Sequence, residues 1–170
     1  MNNKKIHFIE KKQTKKKIKN YIEKNSQDNN SSLDLNNYDN DLDLLRKMYM
    51  KLDFHHHKLY TQYIHEKVSS YTNQDKIKNR DLNYIITCDE TIEKLLESKL
   101  KCYYCKNKLV LLNENKLQKN MWTLDRIDNN LSHTNINTCI SCLKCNLQKR
   151  SRNHNDFKFT KQLIIKKNDK

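Results

Sequence analysis

Apolar residues are sparse along this chain, and the spacing of the few that occur predicts its elements. Between Asp41 and Ser70, Leu44, Leu45, Met48, Leu52, Leu59, Tyr60, Tyr63, Ile64 and Val68 recur three or four residues apart. That is the period of a helix with one buried face, so one or two amphipathic helices are expected. The polar stretch SSYTNQDKIKNRDLNY, residues 69–84, breaks the pattern, and TCDETIEKLLESK, residues 87–99, restarts it. There Thr87 or Asp89 can cap, acidic residues fill the first turn, and Ile92, Leu95 and Leu96 form the buried stripe. KLVLL, MWTLDRI and INTCIS are short runs of β character, the first two joined by the polar NENKLQKN, and CLKCNLQKR reads as a helix. The expected order is strand, strand, strand, helix, with FKFTKQLIIKK offering a last apolar stripe to close the fold.

Composition changes this picture in two ways. With 170 residues and 35% hydrophobic content, the chain has apolar material for one small core only. It contains no Gly, Pro or Ala while Lys, Asn, Ile and Tyr abound, the imprint of an AT-rich genome on codon choice. Turn positions then fall to Asn, Asp and Ser. The expected fold class is α+β, in three parts. Residues 1–40 are a basic tail and polar linker expected to be disordered, 41–80 a helical segment, and 81–165 the chemistry-bearing domain.

The formal charge of +14 exceeds what codon bias imposes, because Lys and Glu both have A-rich codons and only Lys is in large excess. A polyanion, nucleic acid first, is the expected partner. Residues 1–24 hold nine Lys against Glu10 and Glu23, which reads equally as a phosphate-binding arm or a solvated extension. No run is long and apolar enough to cross a bilayer, and the start lacks the apolar block of a secretory signal, so a soluble intracellular protein is expected, in the cytoplasm or nucleus of a host cell if viral.

In a reducing compartment paired cysteines bind metal more often than they form disulfides. Cys102-Tyr-Tyr-Cys105 and Cys142-Leu-Lys-Cys145 are two such pairs, 36 residues apart. Each can present two thiolates to one ion, and together they complete a closed four-sulfur zinc site that clips the intervening segment to itself. Cys88 and Cys139 are expected to be buried thiols. The run His55-His56-His57 is set aside as a metal site, since consecutive helical residues point about 100° apart.

Within and after the clip the chain reads Leu124-Asp125-Arg126-Ile127-Asp128-Asn129, Ser132-His133-Thr134, Asn137, then Cys142 to Lys149. This pattern resembles the HNH endonucleases, the ββα-metal nucleases, in a subgroup widespread in phages and large DNA viruses. The likeness spans residues 85 to 160, about half the chain. It implies a divalent-metal-dependent endonuclease acting on DNA, with structural zinc on the four cysteines and catalytic magnesium or manganese held by Asp125 and Asn146. Asn137 would brace the loop between the strands.

Two positions depart from the pattern. Arg126 stands where relatives carry the His that activates water, and a guanidinium cannot accept a proton at neutral pH. Asp128 or His133 is left for that role, with Arg126 as a phosphate clamp. Ser132 stands where many relatives have Gly. Lys149, Arg150, Arg152 and His154 form a basic end suited to a nucleic-acid backbone. A second reading is a zinc-knuckle nucleic-acid-binding module that keeps the fold without catalysis, and a protein-interaction scaffold on the 41–70 helices is compatible with either. The oligomeric state is open.

Overall fold

The computed structural model describes residues 38–112 and 118–163; the basic block over 1–24, the linker up to residue 37, part of the loop after KLVLL and the end of the last apolar run lie outside the described residues. Helices α1 (Tyr38–Tyr49), α2 (His57–Ile77) and α3 (Cys88–Glu97) precede strands β1 (Trp122–Arg126) and β2 (Thr138–Cys142), followed by helices α4 (Leu143–Lys149) and α5 (His154–Gln162). The class is α+β. No described helix is long and apolar enough to cross a membrane.

Local chemistry accounts for several boundaries. Thr87 opens α3 with a reciprocal capping box: its hydroxyl accepts from Glu90 N while Glu90 Oε2 accepts from Thr87 N. Asn153 opens α5, its side chain accepting from the backbone of Asn155 and Asp156. The three consecutive histidines fall where the turn after α1 enters α2: His55 and His56 lie in the turn, His56 left-handed at φ 67°, and His57 is the first residue of the helix.

Left-handed backbone is not confined to the residue types expected. Besides Asn79, the described positive-φ positions are Lys51, His56, Lys99, Leu100, Lys106 and Arg150. Packing explains the least expected of them. The turn after α3 swings Leu100 into the core at 0% exposure, and burying that side chain offsets the roughly 1–2 kcal/mol cost of the conformation.

Two strands form where three were expected. β1 and β2 pair antiparallel with Trp122 opposite Cys142, Leu124 opposite Ile140 and Asp125 opposite Cys139. KLVLL makes only isolated bridges, Lys108 with Lys101 and Val110 with Met121. Leu109 N and Val110 N donate to the backbone carbonyls of Leu100 and Asn120, while Leu111 is satisfied by side chains: its N donates to Asp41 Oδ2 at 3.1 Å and its O accepts from Trp122 Nε1 at 2.9 Å. The run is therefore core filling between α1 and β1. The expected helical segment and the cysteine-rich segment share this core, since Leu45, Met48, Tyr60 and Ile64 are buried in one cluster with Leu95, Leu111, Trp122 and Leu124.

Helix α2 also runs past the polar stretch expected to end it, as far as Ile77. The stripe of inward positions simply turns polar. Lys67 Nζ donates to Trp122 O at 2.5 Å, Tyr71 Oη accepts from Leu124 N at 3.1 Å, and Asp75 Oδ1 accepts from Arg126 Nη1 at 3.4 Å. Four helical residues advance about 6 Å and two strand residues about 6.7 Å, so every fourth position of α2 meets every second position of β1. The helix thus covers the edge of β1 that β2 leaves unpaired. Burial holds the Lys67 ammonium down to about 7.

Asp75 ends this row as a hub with no exposed surface. It takes Arg80 Nη1 at 3.0 Å and Arg126 Nη1 on one oxygen, and His133 N at 2.6 Å and His133 Nδ1 at 2.8 Å on the other. Removing it strands two guanidinium groups. Asp75→Ala is therefore expected to lower the free energy of unfolding by about 3 kcal/mol. In the same denaturation series Asp43→Ala, which breaks an exposed 2.8 Å pair with Lys47, should cost less than about 1 kcal/mol.

Candidate metal centre and the polar face of the sheet

The first cysteine pair lies on the turn after α3, and the second spans the junction of β2 and α4, where Cys142 is both the last strand residue and the cap of the helix. Backbone bonds preset both. Cys102 Sγ accepts from Cys142 N at 3.2 Å, Cys142 Sγ from Cys145 N at 3.3 Å, and Tyr103 N donates to Ile140 O at 2.8 Å. The four sulfur atoms lie within 4.8 Å of one another, and Cys105 and Cys142 are 3.9 Å apart. A tetrahedral ion with metal–sulfur bonds of about 2.3 Å needs sulfurs about 3.8 Å apart, so the donor set fits a structural metal such as zinc. The hydrogen bond with Cys142, reinforced by backbone N–H groups, holds the Cys102 thiol below the ordinary range, while the same bond pushes Cys142 above it.

Beside this centre, one face of the sheet carries polar chemistry. Residues directly opposite share a face, so Thr123 and Asp125 of β1 stand with Ser141 and Cys139 of β2. Asp125 is buried, and its Oδ2 accepts from Tyr104 Oη at 2.5 Å and pairs with Lys149 Nζ at 3.5 Å. Burial pushes the Asp125 carboxyl above its ordinary value, against the opposing pull of Tyr104 and Lys149. Tyr104, whose phenol burial keeps protonated, also meets His154 Nδ1 at 3.0 Å.

Asn146, on the first turns of α4, joins the same strip. Thr123 Oγ1 donates to Ser141 O at 3.1 Å, leaving its lone pairs to accept from Asn146 Nδ2, also at 3.1 Å. The amide oxygen of Asn146 and the Oδ1 of Asp125 carry no hydrogen bond among the described residues. Neither is a buried unsatisfied atom, since the Tyr63 hydroxyl is the single one described. Two oxygens on one strip are thus left without a hydrogen-bond partner among the described residues, and neither is fully buried.

The other residues singled out by sequence fall elsewhere. Arg126 follows Asp125 and so turns to the opposite face, where Asp75 and Leu131 O engage it. His133 is buried there too, its ring tilted against Tyr71 at 4.8 Å. Asp128 is exposed in the connecting loop and folds back on Asn130 N at 2.8 Å. Asn137 staples that loop, its side chain accepting from Asp128 N at 2.9 Å and donating to Asp128 O at 3.0 Å and Ser132 O at 2.9 Å. Arg150 and Arg152 are exposed, whereas Lys149 has no exposed surface, its ammonium held by Arg126 O at 2.7 Å and by Asp125.

Cys139 is buried, its thiol pushed up to about 12 by burial, and Cys88 is half-buried at the start of α3. Sequence reasoning missed Asp75, Tyr104 and His154 as members of these networks. Only Tyr104 carried a usable sign, its place inside the first cysteine pair. Comparison with protein-family models, with curated proteins and with solved structures gives no match.

The sulfur cluster holds the β2–α4 junction to the turn that carries Tyr104, so metal removal should loosen the sheet as well as the turn. Elemental analysis of purified protein is expected to find about one zinc per chain, and chelation to abolish the dispersed amide resonances of β1 and β2. A metal-free protein with an unchanged amide spectrum contradicts the assignment.

Proposed function

We propose that this chain is a divalent-metal-dependent endonuclease that hydrolyses phosphodiester bonds in DNA, of the HNH type. The observation that carries the reading is the strip on which Asp125, from the strand, and Asn146, from the helix beginning at the metal knuckle, each leave one oxygen open. Asp125 and Asn146 would hold the catalytic ion, which when bound polarises the scissile phosphate and steadies the leaving 3′ oxygen. Lys149 and Tyr104 both fix the carboxylate through Oδ2, leaving Oδ1 without a partner among the described residues. Asn137 keeps the strand connection closed, and the exposed Arg150 and Arg152, with the net charge of +14, draw in the phosphate backbone.

A second reading has its own support. The buried ammonium of Lys149 already neutralises Asp125, and Arg126 occupies the usual base position, as in a module that binds nucleic acid without cutting it. Nicking of supercoiled plasmid separates the two. The nuclease reading predicts magnesium- or manganese-dependent nicking that falls at least a hundredfold in Asp125→Ala and in Asn146→Ala, with DNA affinity retained. Salt-sensitive binding without nicking by zinc-loaded protein favours the binding module.

A further inference from the structure

The outer edge of β2 is the second row of backbone groups left without a neighbouring strand, and the hydrogen bonds around it fix which of its atoms are taken. Leu124 N turns away from β2 to Tyr71, so Leu124 and its partner Ile140 are a pair that exchanges no hydrogen bonds. The N–H and C=O groups of Ile140, and of Thr138 two residues before it, therefore point outward from the sheet. Both carbonyls are engaged: Thr138 O accepts from Lys94 Nζ at 3.1 Å and Ile140 O from Tyr103 N at 2.8 Å. Neither N–H has a hydrogen-bond partner among the described residues.

This edge is one wall of a cleft of about 630 Å³, lined by Thr138, Ile140, Lys94, Tyr103, Lys101 and Lys106. Lys101 and Lys106 are exposed, and Lys106 Nζ lies over the Tyr103 ring at 5.4 Å. Against these three ammonium groups the lining carries one carboxylate, that of the exposed Glu97. Ile136, 90% exposed, adds an apolar wall.

The groups left free select the ligand. An extended peptide adding a strand here would need carbonyls that accept from it as well as N–H groups, and both carbonyls are already engaged. An anion rich in acceptor oxygens needs donors only, which backbone N–H groups and lysines supply. The apolar wall beside them suits a flat base. The volume is that of a small-ligand site, on the order of 300–1,000 Å³, so an unpaired nucleotide fits and a duplex does not.

We propose that this cleft binds single-stranded DNA, holding a backbone phosphate against the free edge of β2 and the ammonium groups of Lys101 and Lys106, with a neighbouring base against Ile136. The assignment rests on the nucleic-acid partner that both readings of the function share. A chain that grips an unpaired nucleotide prefers single strands, flaps and branched junctions to continuous duplex.

The test is binding by zinc-loaded full-length protein without magnesium, so that it can be read whether or not the protein cuts. Lys101→Gln/Lys106→Gln should weaken binding of a short oligothymidylate about tenfold and flatten its salt dependence, at about 0.7 in log–log slope per lost phosphate contact. Lys76→Gln/Lys78→Gln removes the same charge from exposed positions outside the cleft and should change affinity less than about twofold. In ¹H–¹⁵N spectra the oligothymidylate should shift the amides of Thr138 and Ile140, and a blunt duplex of equal length should leave them in place. Equal losses in the two double variants overturn the site, as do Thr138 and Ile140 amides that stay unmoved at saturation or that the duplex shifts equally. Shifts reproduced by inorganic phosphate at the same phosphate concentration overturn it too, marking an anion site only. Binding as predicted without magnesium-dependent nicking overturns the nuclease reading and leaves this site standing, whereas nicking without these shifts overturns the site alone.

Discussion

A two-stranded sheet leaves a row of unpaired backbone groups along each outer edge, and the way one row is closed sets the rest of this structure. Helix α2 takes part of that row with side chains: Lys67 and Tyr71 bond the backbone of Trp122 and Leu124, and Asp75 then holds the Arg126 guanidinium. The match rests on two repeat lengths that nearly coincide, about 6 Å for four helical residues and about 6.7 Å for two strand residues. Once the helix is fixed there, one face of the sheet is committed to packing. Trp122, Leu124 and Ile140 join the core, and the polar end is locked by the Asp75 cluster. Only the opposite face remains for chemistry.

That face is bounded by the sulfur cluster. The same pair of cysteines that closes the metal site also flanks Tyr104, and the same helix that follows Cys142 carries Asn146 and Lys149. A structural metal held by these four cysteines would join the turn bearing Tyr104 to the junction bearing Asn146. In a chain this poor in apolar residues, a structural metal contributing on the order of 10 kcal/mol is comparable to the whole stability of a small domain. The zinc-loaded and metal-free proteins should differ in fold, and any activity would follow.

How much of this was legible in the sequence depended on whether the signal was local. The cysteine pairs, the Thr87 cap, the strand around Leu124 and the helix after Cys142 each rest on a few adjacent residues, and the structure has them where the pattern put them. The continuation of α2 was hidden because Tyr71 and Asp75 are polar; their burial is intelligible only through partners more than fifty residues away. KLVLL has β character, yet it makes only isolated bridges, and Asp41 and Trp122 take the backbone of Leu111, which no local rule reveals. Left-handed Leu100 stands where Asn or Asp is expected because core packing dictated that turn; the left-handed Lys51, Lys99 and Lys106 are exposed. The divergence of Arg126 from Asp125 follows from strand alternation and could have been read in advance; the contact of His154 with Tyr104 is a tertiary link and could not.

The central claim is that a divalent ion sits on the Asp125 face, between strand and helix, and not among the acids and histidines elsewhere. Substoichiometric manganese added to zinc-loaded, ¹⁵N-labelled protein tests this most directly, because paramagnetic broadening falls steeply with distance. The account predicts that the Asn146 side-chain amide and the backbone amides of Thr123 and Asp125 broaden first, while the His133 ring and the Asp75 amide across the sheet persist. Broadening that begins at Asp75 and His133, or none at any resolved position, would contradict it.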